Sequence, residues 1–178
     1  MSKVKDLAKK SLSDSNIMTL IKGKARIISY PNLTKFNNLD DLMGKYNAVV
    51  ILYETKKKFG HWTLLFKLNH DTVEFFDSYS MLPDDELKFI PHNFRMSNNE
   101  LLPHLTYLLY SSGYQVEYND YPLQNKKQGV NTCGRHVATR LLHRNLNIDE
   151  YVKMIERTGM DTDDFVTLFT NNISNHII

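Results

Sequence analysis

Asn47 to Tyr53 (NAVVILY) is a nearly unbroken apolar run, rich in β-branched residues and too short for a core helix. Such a run reads as a strand buried in the middle of a sheet, with no face left for water. It sets the plan for its neighbours. His61–Leu68 and Thr72–Asp77 read as two further strands, and Asn69, His70 and Asp71 between them make a tight turn. Ala25–Tyr30, stopped by Pro31, and Tyr114–Tyr118 add shorter strands. The helical signals lie around these. Ser13 or Ser15 caps a short helix through Leu20, and Leu39, Leu42 and Met43 mark a brief one. Pro91–Asn99 reads as irregular. Ser97 and Glu100 resemble a capping box, but a helix starting near Leu102 with Pro103 in its first turn, ending by Gly113, fits better. Three more helices run from Cys133 to about Asn145, from Ile148 to about Arg157, and from about Thr162 to Asn172. The expected fold is α+β: a small central mixed sheet flanked by helices, with a cysteine at the N-terminus of a central helix.

With 178 residues, 42% hydrophobic and 24% charged, the chain suits one domain spanning 1–178, with residues 1–12 as a flexible or helical basic leader. No apolar run reaches the roughly 18–20 residues that span a bilayer, so no membrane association is expected. The lysine-rich N-terminus is followed by no apolar signal-peptide core. One cysteine, Cys133, cannot form an internal disulfide, which points to a reducing compartment. The net charge of +2 is uneven, with lysines gathered before Arg26 and acids between Asp149 and Asp164. The basic end is either a nucleic-acid contact or a solvated helix face.

Cys133 follows the polar residues Gln128, Gly129, Asn131 and Thr132 and opens a helix marked by Val137, Ala138, Leu141 and Leu142. Unpaired N–H groups and the positive end of the helix dipole favour a thiolate there. So do Lys126, Lys127, Arg135, Arg140 and Arg144, with no acid between Asp120 and Asp149. A lone cysteine is more often a small buried hydrophobe, so the reading needs a second element. His61 opens one hairpin strand and Asp77 closes the other, which makes them neighbours in an antiparallel pair. A carboxylate beside an imidazole fixes its tautomer and stabilises its charged form. With Cys133 on the other ring nitrogen, the set is nucleophile, base and orienter. His136, one turn after Cys133, has no obvious carboxylate and reads as structural or as a support behind the reacting groups. His70, His92, His104, His143 and His176 show no metal-ligand spacing, and no second cysteine completes a zinc site.

GHW, FFDSY and QGVNTCGRH, in that order, resemble the adenain-like and ubiquitin-like-protein-specific cysteine peptidases. The resemblance runs over about residues 47–145 and is strongest to the compact viral branch: the adenovirus proteinase and the maturation proteases of large DNA viruses and virophages. It implies Cys133 as nucleophile, His61 as general base and then acid, and Asp77 as orienter. A glutamine before the cysteine supplies an oxyanion donor. Gln128 is chosen over Gln124, which lies too far back unless the loop bulges. Trp62 resembles the cleft tryptophan that flanks the glycines of a substrate, and equally suits a core position. The implied activity is a thiol endopeptidase that cleaves viral structural or core precursors beside small residues such as glycine, in the host cytoplasm or nucleus and packaged in the virion. The alternatives are a deconjugating protease for a ubiquitin-like modifier, or a non-enzymatic nucleic-acid or protein-binding module. No cofactor is implied, and a monomer is expected. A disulfide-held peptide activator would consume Cys133, which leaves a non-covalent peptide or DNA as the activator to consider.

Overall fold

A computed structural model describes residues 2–175; residues 1 and 176–178, with His176 among them, lie outside it. Five strands form one mixed sheet in chain order: β1 (Arg26–Ser29), β2 (Ala48–Lys56), β3 (Phe59–Lys67), β4 (Thr72–Phe76) and β5 (Gln115–Tyr118). The three central strands are antiparallel, and β1 and β5 join the edges in parallel. Every residue from Ala48 to Tyr53 is buried. Val49, Ile51 and Tyr53 pack with Tyr30, Leu33, Leu42, Leu87 and Leu105 on one face. Val50 and Leu52 pack with Ile17, Val137, Ala138, Leu141, Tyr151 and Ile155 on the other. A strand with two apolar faces has no position for a polar alternate, hence the unbroken run.

Among the described residues eight helices surround the sheet: α1 (Ser2–Ala8), α2 (Asp14–Leu20), α3 (Leu39–Met43), α4 (His92–Ser97), α5 (His104–Ser111), α6 (Cys133–Leu142), α7 (Ile148–Glu156) and α8 (Thr162–Asn175). The fold class is the α+β arrangement expected, with Cys133 the first residue of α6. One local expectation changes, and two open readings are decided. Of the flexible and helical leaders expected, the helical one is found, over Ser2–Ala8, packed against α8. The 91–99 segment is not irregular but holds α4, which starts straight after Pro91. Ser97 and Glu100 make no capping box; the Glu100 N–H closes α4 onto the Arg95 carbonyl, and Pro103 sits just ahead of α5.

Two features fix α6 and β3 in place. Arg140, on α6, makes a bidentate pair with Glu74, on β4, through Nε at 2.7 Å and Nη2 at 2.6 Å, with both side chains fully buried. Its remaining donors reach the His143 and Leu146 carbonyls, so the buried guanidinium is well satisfied. Gly60 lies where β2 and β3 shift register beside Glu54 and Lys56. A Cβ there would come within 1.8 Å of the Tyr53 carbonyl oxygen, so only glycine fits immediately before His61.

Candidate active site

His61 is delivered by β3 and Asp77 by the first residue beyond β4. The pairing of Leu64 with Phe76 would, if continued, put Tyr79 and not Asp77 opposite His61. The chain leaves the ladder after Phe76, and that departure brings the Asp77 carboxylate to the ring. Its Oδ2 lies 3.1 Å from His61 Nε2, and its Oδ1 accepts the Tyr79 N–H at 2.6 Å. The Asp77 carbonyl in turn accepts from Asn119 Nδ2 at 2.6 Å. Tyr79 stacks on the imidazole with ring centroids 4.9 Å apart. Asp77 is thus held at the carboxylate and at the backbone, and His61 is held by its Nε2 and by one ring face.

Cys133 lies against the same imidazole and is buried like it. With Nε2 engaged by Asp77, Nδ1 is the nitrogen left for sulfur. Burial disfavours a charged imidazole, but Asp77, with Cys133 behind it, outweighs burial and holds His61 well above the ordinary histidine range. The Tyr79 hydroxyl is pushed up to about 12, chiefly by burial, with electrostatic contributions from the acidic groups around it. Glu86 was not foreseen. Its Oε1 is buried without a hydrogen-bond partner, 3.9 Å from His61 Nε2. Burial raises its carboxyl above the usual range, Asp77 adds to this, and His61 works against it. The donor atoms of His61, Asp77 and Glu86 lie within 4.8 Å of one another, a grouping that could share a cation and that spacing among the histidines did not reveal.

The two glutamines part company. Gln128 is exposed, in a hollow with Lys5, Lys9, Asp161 and Asp164, and among the described residues no hydrogen bond joins it to His61 or Cys133. Gln124 is buried and tied to the residue after Asp77: its N–H donates to the Ser78 carbonyl at 2.9 Å, and its Oε1 accepts the Ser78 hydroxyl at 2.7 Å. Among the described residues no hydrogen bond takes its Nε2. The segment between bulges outward at Lys127–Val130, with Gly129 at φ +86°, which throws Gln128 away from the site. Trp62 is buried in the core cluster that includes Cys133, and its indole N–H donates to the Leu12 carbonyl at 3.1 Å.

Charge behind the cysteine also differs from expectation. Arg140 is neutralised by Glu74, and Arg135 is buried against Thr170 and the Leu7 carbonyl. His136 does have a carboxylate: Asp163, on α8, 2.9 Å from its Nε2. Its contribution was hidden because the partner lies 27 residues away, at the start of a helix where an acid is ordinary.

Fold and site together define an α+β protein with one cysteine, one histidine and one carboxylate assembled at the head of a helix. No protein-family model matches the chain. Over 174 residues it is 37% identical to "Uncharacterized protein V9" of Sputnik virophage, covering 96% of this chain and 99% of that one. The chain belongs to the family of that virophage protein. Among solved structures it is similar to the C-terminal Ulp1 protease domain in complex with Smt3, the yeast ortholog of SUMO, at 17% identity and TM-score 0.43, over 96% of this chain and 81% of the other. It is also similar to the SUMO protease Ulp1 with its catalytic cysteine oxidised to a sulfinic acid, at 16% identity and TM-score 0.39, over 94% and 82%.

Proposed function

We propose that this chain is a thiol peptidase of a virus or virophage, cleaving protein precursors beside small residues such as glycine. The observation that carries the reading is the His61 ring hydrogen-bonded to Asp77 with Cys133 close enough to act on the same ring. That geometry supports a defined sequence of steps. The Cys133 sulfur attacks the scissile carbonyl carbon, and the oxygen takes the charge. His61 gives its Nδ1 proton to the leaving amine, the C–N bond breaks and a thioester remains. Water then attacks the thioester, giving its proton to His61; the C–S bond breaks and the acid leaves. Asp77 holds the ring and its positive charge throughout. For the oxyanion we assign Gln124 in place of Gln128. Among the described residues no hydrogen bond takes its Nε2, its other end is fixed by Ser78, and the Cys133 N–H is the natural second donor.

The expected setting is the reducing interior of a host cell and then the virion, with capsid or core precursors as substrates. A monomer with a non-covalent peptide or DNA activator on the basic N-terminal helix fits the charge distribution. Among the described residues no helix is long and apolar enough to cross a membrane.

Iodoacetamide alkylation tests the core of this reading, because Cys133 is the chain's one thiol. Fast alkylation at pH 6, lost in His61→Ala, is the expected result. Slow alkylation that rises only near pH 8.5, unchanged by the mutation, would sink it. Hydrolysis of a peptidyl-Gly-Gly coumarylamide against an isopeptide-linked modifier then separates a maturation endopeptidase from a deconjugating one.

A further inference from the structure

We propose that the buried His136–Asp163 pair is a positioning device that holds residues 125–132 so that the two ends of that segment, Gln124 and Cys133, face the same carbonyl oxygen. The inference rests on the peptidase reading and adds to it the part that builds the oxyanion site.

Asp163 is the common anchor. Its Oδ2 accepts the Asn125 N–H at 2.9 Å, directly after Gln124. Its Oδ1 accepts the Thr132 hydroxyl, directly before Cys133, and lies 2.9 Å from His136 Nε2. One carboxylate therefore closes the loop at both ends, while residues 126–129 between them stay exposed. A carboxylate that is ionised only accepts, so His136 Nε2 carries a hydrogen. His136 is fully buried, and among the described residues its Nδ1 has no hydrogen-bond partner, so Asp163 is the side chain that fixes the ring.

The effect on Thr132 matters most. Threonine at a helix N-cap ordinarily turns its hydroxyl onto the N–H groups of the first turn. Here the hydroxyl goes to Asp163, and no side chain caps α6. The N–H groups beside the nucleophile are left without a side-chain acceptor, at the point where an oxyanion would develop. The N-terminal segment grips the loop from the other side: the Asn131 N–H and Nδ2 donate to the Ala8 and Lys9 carbonyls.

Asp163→Asn and Thr132→Val test the assignment in the full chain. Asparagine keeps the size but presents an amide where an anion received three donors; valine removes only the hydroxyl. The readouts are kcat and KM for a peptidyl-Gly-Gly coumarylamide, and the rate of Cys133 alkylation by iodoacetamide at pH 6. Peptide cleavage passes through an oxyanion, whereas alkylation does not. The expected result for Asp163→Asn is a fall in kcat of about 100-fold, the scale of a misplaced reacting group, with KM and the alkylation rate within about threefold of wild type. Thr132→Val falls about tenfold in kcat on the same pattern. Wild-type kcat in both variants overturns the proposal. So does a parallel fall in alkylation, since the pair would then hold the sulfur itself. If Asp163→Asn does not fold, Thr132→Val decides alone. A wild-type chain that neither cleaves nor alkylates fast at pH 6 removes the peptidase reading, and this inference with it.

Discussion

Two buried histidine–aspartate pairs stand on either side of one cysteine, and they are built in opposite ways. His61–Asp77 comes from the sheet, bridges 16 residues and touches the sulfur. His136–Asp163 comes from the helical layer, bridges 27 residues and touches the loop that leads to the sulfur. The first ring shares Asp77 with the Tyr79 backbone and is stacked by Tyr79. The second shares Asp163 with a hydroxyl and a backbone N–H, and no aromatic stack is found for it among the described residues. On the proposed reading, similar chemistry serves proton transfer in one place and shape in the other, and what decides the role is whether the imidazole reaches sulfur.

The contrast breaks most visibly in the nucleophile's own pair. His61→Ala is expected to lower kcat by about 10³–10⁴-fold and to abolish fast alkylation, and Cys133→Ala to remove turnover with the fold intact. Equal losses in His61→Ala and His136→Gln alkylation rates would erase the distinction between the pairs. Next comes the oxyanion donor. Gln124→Ala should cost about 10²–10³ in kcat, against less than about twofold for Gln128→Ala, by steady-state kinetics; the reverse order would restore Gln128.

Stability against pH separates the pairs at opposite ends of the scale. The His61 pKa is raised on folding, so its contribution is fully present below the unfolded value near 6.5 and is lost as pH rises through the folded value. For Asp163, burial works against the carboxylate, but His136, Thr132 and the Asn125 N–H outweigh it and lower its pKa. Its contribution is present above the unfolded value near 3.9 and is lost as pH falls through the folded one. Melting curves should therefore show His61→Gln closing its gap to wild type at alkaline pH, and Asp163→Asn closing its gap at acid pH. The smallest effect is expected at Gly134, between the two pairs. A Cβ there would lie 3.1 Å from Ile17, 3.2 Å from Leu12 and 3.3 Å from Trp62, so Gly134→Ala should destabilise by about 1–3 kcal/mol in a denaturant titration.

What could be read beforehand was local. The five strands, the hairpin that carries His61 and Asp77, and the helix begun by Cys133 each follow from patterns within a few residues. What escaped depended on loops and distant partners. The choice between Gln124 and Gln128 turned on whether residues 125–132 run straight or bulge, and the bulge is enforced by Asp163, far along the chain. Glu86 reaches His61 from a 3-10 turn after an irregular loop, where no periodicity marks it. Helix α4 is a short segment with few apolar residues to show a stripe, so Pro91–Asn99 read as irregular.

The Glu74–Arg140 bridge has a mechanical consequence. Glu74 stands three residues before Asp77, and Arg140 two helical turns after Cys133, so the bridge acts as a gauge block between the parts that carry Asp77 and Cys133. Whatever bends the outer helices or draws on the N-terminal segment, the spacing across the reacting groups is clamped by a joint outside the reaction. On the proposed reading, an enzyme carried in a crowded particle would keep its tolerance there and leave the loops above to adapt to what they hold.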